Sequence, residues 1–90
     1  MATGRNVKAI AADIAEGYVV VNPIFLKPFD NESLKKLYES MLRKQNEIRI
    51  QPFPYGDVEL IRKRNMRLQR VYAAIILIRN YAREKKIILG

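Results

Sequence analysis

The chain has 90 residues and a net charge of +8, from 17 Lys and Arg against nine Asp and Glu, and it contains no cysteine, histidine or tryptophan. Those absences exclude a disulfide framework and a thiolate zinc site, and they remove both the usual proton shuttle near neutral pH and the commonest transition-metal ligand. A chain of this length makes one small domain over 1–90 with a thin margin, burying only a little over ~60% of its unfolded surface, while an apolar fraction of 49% argues against disorder.

At the amino terminus Arg5 and Lys8 precede small apolar residues, but Asp13 and Glu16 interrupt any signal-peptide core. Asn6 reads as a helix cap, followed by Val7, Ile10, Ala11 and Ile14 at helical spacing and by Gly17 as a stop. The next stretch, YVVVNPIFL, is β-branched and aromatic, with a break at Pro23. It predicts a short strand over 18–21 and an extended piece after it.

Asp30 is the second cap, with Phe29 and Leu34 placed for a hydrophobic staple. Leu34, Leu37, Tyr38, Met41 and Leu42 form the expected buried face of a helix to about Glu47, with Lys35, Lys36, Arg43 and Lys44 on the solvated side. Ile48 and Ile50 then alternate, which predicts a strand or arm over 48–51 before a stiff turn of two prolines and a glycine, QPFPYGD.

From the third cap, Asp57, nothing breaks the helical pattern until the end of the chain, and one helix of ~30 residues is expected, about 43 Å at 1.5 Å per residue. Ile61, Leu68, Val71, Tyr72, Ile75, Ile78 and Ala82 share one face, a seam suited to another helix. Arg64 falls in that sector. Lys63, Arg67 and Arg70 form a basic stripe roughly opposite, with Arg62 to one side. From Ala73 to Ile78 every direction is apolar, Ile76 included, so this segment is expected to be covered by the amino-terminal helix and residues 18–26, or by a second molecule. The fold class is therefore mainly α, with two shorter helices, one long carboxy-terminal helix and short extended segments between them. If 18–26 and 48–51 pair as strands, the unit is α+β.

Charge is uneven: residues 1–45 carry seven cations and five acids, residues 46–90 ten cations and four. A positive field of this kind attracts polyanions. Between Arg62 and Arg70 five cations have no acid among them, whereas a helix that is merely solvated mixes signs for pairing. The expected function is a non-enzymatic nucleic-acid-associated protein. Arg62, Lys63, Arg64, Arg67 and Arg70, with Arg49, hold phosphates, and Ile61, Leu68, Val71, Tyr72, Ile75, Ile76 and Ile78 supply the interface that assembles it. The alternative is an accessory or structural subunit of a replication, transcription or ribosomal assembly, with the long helix docked on a partner protein.

Phe53 and Tyr55 beside the basic helix have two readings. They stack on unpaired bases, or, the one favoured by their flanking prolines, they pack onto the core. Asn65 and Gln69 would read base edges if the helix lay in a major groove. Asp13 with Glu16 sits on an outer face, and Asp30 with Glu32 and Asp57 with Glu59 sit at helix starts where capping explains them. With no calcium-loop spacing and no glycine-rich phosphate loop, neither catalysis nor a metal or cofactor is expected. The longest uncharged apolar run, Val71 to Ile78, is far short of the roughly 18 residues of a bilayer span, and basic and apolar blocks follow one another along the axis as much as they oppose across it. A soluble, cytoplasmic protein without membrane attachment is the expectation. RKRNMRLQR is similar in composition, though in no specific motif, to the arginine-rich helices of small archaeal chromatin, replication and ribosomal proteins.

Overall fold

The first helix, α1 (Val7–Glu16), begins where the Asn6 side chain accepts a hydrogen bond from the Lys8 amide at 2.8 Å. It ends at Gly17, whose φ of 85° lies in the left-handed region that glycine enters without a Cβ penalty. The Gly17 amide donates to the Ile14 carbonyl and the Tyr18 amide to the Asp13 carbonyl, the Schellman arrangement. Neither bond uses the carbonyl of Ala15, which is left at the open end of the helix. These elements belong to a computed structural model that describes residues 6–89. The reading that rests on Arg5 lies outside the described residues.

No strand forms at 18–21. Residues 18–22 make an irregular connection, and a one-turn helix, α2 (Pro23–Leu26), follows. The Asn22 side chain accepts from the Phe25 amide at 2.8 Å, and Pro23 takes the first helical position, where its missing N–H costs nothing. The Asn-Pro pair was a helix start, not a strand break.

In α3 (Asn31–Ile50) the Asp30 carboxylate accepts from the Ser33 amide at 2.7 Å, and Phe29 and Leu34 are both buried in the core, as the staple requires. The helix outruns its expected end at Glu47 and absorbs the predicted strand. Leu34, Leu37, Met41 and Ile48 are all fully buried, so Ile48 continues a seam of 3.5-residue period, and that burial outweighs the short alternation with Ile50. Tyr38 is only half-buried and Leu42 is exposed, while Ser40 is buried in their stead. Gln51, ahead of Pro52, adopts ψ 144° and stops the helix, as the residue before a proline must.

The last helix, α4 (Val58–Glu84), is capped by Asp57 on the Leu60 amide at 3.1 Å. It stops six residues short of the end of the chain: Lys86 turns left-handed at φ 58°, and the Ile87 amide closes onto the Ala82 carbonyl at 2.8 Å.

α1, α3 and α4 each pack against the other two, making an all-α bundle among the described residues, with α2 and its flanks closing one side through Val21 and Leu26. The core is Ile10 and Ile14 of α1, the α3 seam, and Val71, Ala74, Ile75, Ile78 and Ala82 of α4. Each large side chain among them contributes about 1.5–3 kcal/mol of burial. The molecule measures 44 × 23 × 18 Å, its long axis matching a helix of 27 residues. No described helix is long and apolar enough to cross a membrane.

Candidate anion-binding cleft

The buried stripe of α4 differs from the predicted seam by a rotation toward the arginine side. Ala74 joins it, Tyr72 leaves it and is 58% exposed, and Ile61 and Leu68 are only half-buried. Val71, Ile75 and Ile78 are covered by the chain's own helices, so they are not a surface open to a second molecule. They share one core cluster with Ile10 and Ile14 of α1, Val21, Leu26 and the α3 seam, so the amino-terminal helix and residues within 18–26 take part in the covering, together with α3. What stays open on the outer side of α4 is Met66, Tyr72, Ala73 and Leu77, with Ile76 half-buried.

The same rotation sets the basic stripe beside the core instead of opposite it, facing the end of α1. Arg70 donates from Nη1 to the Ala15 carbonyl at 3.2 Å, satisfying the group that the α1 cap leaves over. Its guanidinium lies against Gly17, where a Cβ would come within 3.0 Å of Cζ. Arg67 has its Nε 3.1 Å from Glu16 Oε2. The expectation of a cation run without an acid therefore holds along the sequence but not in space. A carboxylate in the last turn of a helix opposes the dipole unless a cation covers it, and this was the readable sign that Glu16 had a partner elsewhere.

Lys63, Arg64, Arg67 and Arg70 line one cleft of about 540 Å³. Its other walls are Glu16 at the end of α1, Gln51, Pro52 and Pro54 of the connection, and Leu60 and Met66. Four cations face one carboxylate. The Arg64 and Arg67 Nε atoms are buried without a hydrogen-bond partner. For Arg67 this stands beside the short Glu16 contact because its N–H is not aimed at the carboxylate: the pair is ionic, and the donor remains unused. Both atoms are closed to solvent and therefore to a ligand, so what the cleft offers an oxyanion is the concentrated positive charge of its four side chains.

Arg49, on the last turn of α3, and Arg62, 3.5 Å from Glu59, are exposed and lie outside the cleft. Asn65 and Gln69 are exposed as well and do not line it. Arg79 reaches across to the Tyr38 hydroxyl at 3.4 Å.

The favoured reading of the aromatic turn is overturned. Tyr55 is 86% exposed and Phe53 38%, so neither belongs to the core. Their ring centroids are 4.7 Å apart at 50°, and the Arg64 guanidinium stands 5.1 Å from the Phe53 centroid. Pro52 and Pro54 take the side of the turn that lines the cleft, which leaves the two rings on its exposed side. Among the described residues no group of three or more acidic side chains is placed to hold a metal ion. No family model, no curated protein and no solved structure matches the chain.

Proposed function

We propose that this is a cytoplasmic, non-enzymatic protein that binds the phosphate backbone of a nucleic acid at the cleft between α1, the α3–α4 connection and α4. The observation that carries the reading is the convergence of Lys63, Arg64, Arg67 and Arg70 on one concavity with a single carboxylate. Lys63 and Arg64 are the principal phosphate ligands. Arg67 and Arg70, anchored on α1, form the fixed wall, and Arg49 and Arg62 extend the positive field outside it. Binding then weakens steeply with salt. Three to four phosphate contacts correspond to a log–log slope of about −2.7 to −3.6 on duplex and about −2 to −3 on a single strand. Replacing Lys63 with alanine lowers the slope by a little under one. A slope near zero refutes the assignment.

A second reading is supported by the outer side of α4, where Tyr72, Met66 and Leu77 are 58, 43 and 39% exposed. This is the face of an accessory subunit that docks on a protein partner. On this reading the isolated chain self-associates, and L77K returns it to a monomer without altering its behaviour toward nucleic acid. Size-exclusion chromatography with light scattering reads both.

A further inference from the structure

The cations and the aromatic turn occupy one place, and together they select a form of nucleic acid. Pro52 and Pro54, which hold Phe53 and Tyr55 outward, also wall the cleft. Arg64 belongs to both features, lining the cleft and covering one side of the Phe53 ring. The Tyr55 ring is left open to solvent on a turn stiffened by two prolines, so its position is set beforehand and little ordering entropy remains to be lost on binding.

Arg64, Arg67 and Arg70 are half-buried beside the end of α1 and the turn, and only Lys63 of the cleft's cations is exposed, while the outer side of α4 carries Tyr72, Ala73 and Leu77. A helix with three of its cations set back in this way brings few of them to the phosphates when it is laid into a major groove. Asn65 and Gln69, the side chains that would read base edges there, are exposed but line no part of the cleft. A flexible strand can place a phosphate in the cleft and turn an unpaired base onto Tyr55, and a duplex, with its bases stacked on one another, has no base face to offer. We infer that the cleft and the Phe53–Tyr55 turn form a binding site for single-stranded nucleic acid, with a backbone phosphate against Lys63 and Arg64 and the adjacent base stacked on Tyr55. This rests on the phosphate-binding reading above and adds the class of strand.

The test is fluorescence anisotropy of the full chain with a labelled oligothymidine, the same strand annealed to oligoadenosine, and oligouridine, each at low and high salt. The single strands bind more tightly than the duplex, and Y55A lowers their affinity by about five- to 150-fold, the range of one base–aromatic stack, while leaving the duplex unchanged. Y55W restores binding, and its indole emission is quenched as the strand is added. Thermal melting of Y55A, unchanged for so exposed a side chain, separates loss of a contact from loss of fold. A deoxyribose or a ribose strand bound through Tyr55 supports the inference equally. Salt-sensitive binding in which the duplex competes on equal terms, or in which Y55A changes nothing, overturns the single-strand assignment and leaves phosphate binding standing. No binding of any polymer at low salt overturns both.

Discussion

Arg70 is the last cation of the basic run, and replacing it with alanine separates a structural cation from a ligand-binding one. The guanidinium donates to the Ala15 carbonyl at 3.2 Å in a part-buried setting, at the negative end of the α1 dipole. A hydrogen bond to a charged group contributes about 1.5–3 kcal/mol, and its loss leaves the carbonyl without its protein donor. At about 4–8 °C per kcal/mol for a domain of this size, R70A lowers Tm by roughly 6–24 °C. R67A removes an ion pair whose side chains are 28 and 47% exposed, which is worth about 0–1 kcal/mol after solvent screening. K63A, on the rim of the cleft, stays within about ±0.5 kcal/mol. The assay is thermal unfolding followed by circular dichroism at 222 nm, in parallel with strand binding for each variant. If R70A melts within ~2 °C of the parent, the bond to α1 is not holding the bundle, and the reasoning that makes Arg70 part of a fixed wall fails.

Gly17 and Gly56 have nearly the same backbone conformation, φ 85° and 82°, but a Cβ at Gly17 meets Arg70 whereas at Gly56 it meets nothing within 4 Å. Both G17A and G56A therefore carry a left-handed penalty of about 1 kcal/mol, and G17A loses more stability because it also displaces the guanidinium. The excess disappears in an R70A background, as a double-mutant cycle of melting curves will read. K86G relieves a left-handed non-glycine residue at φ 58° and raises stability by about 1 kcal/mol, measured by urea unfolding. The Asp30 carboxyl is held below its ordinary value of 3.8, chiefly by the Ser33 amide and then by the Ser33 hydroxyl, with Lys36 adding to them against a small cost of burial. A depressed pKa stabilises the fold above the unfolded value, and the contribution is lost as pH falls through the folded one. D30N, which keeps a cap without the charge, shows a shallower fall of Tm below about pH 4 than the parent.

Local chemistry was legible in the sequence. Asn6, Asp30 and Asp57 start their helices as expected because a cap is a contract between a side chain and an amide two or three residues away, and no distant group is needed to form it. Gly17 ends α1 for an equally local reason, and the absence of cysteine and histidine closed off whole classes of site before any fold was known. Residues 18–21 and 48–50 were misread where two local signals competed. Asn22-Pro23 was a helix start hidden in a β-branched run, and Ile48 belonged both to a short alternation and to a long 3.5-residue seam that only packing could favour.

The meaning of the basic run was decided in three dimensions. Whether an arginine is a phosphate ligand, a clamp or a partner for a carboxylate depends on what stands opposite it, and for Arg70 that is a carbonyl 55 positions away. The rotation of α4 that brings Arg67 to Glu16, exposes Tyr72 and gathers four cations into one cleft comes from fitting three helices around a shared core. The residue types and their spacing along the chain were in the sequence. The side of each helix that met another element was set by the packing of the whole, because burial and charge pairing act through space.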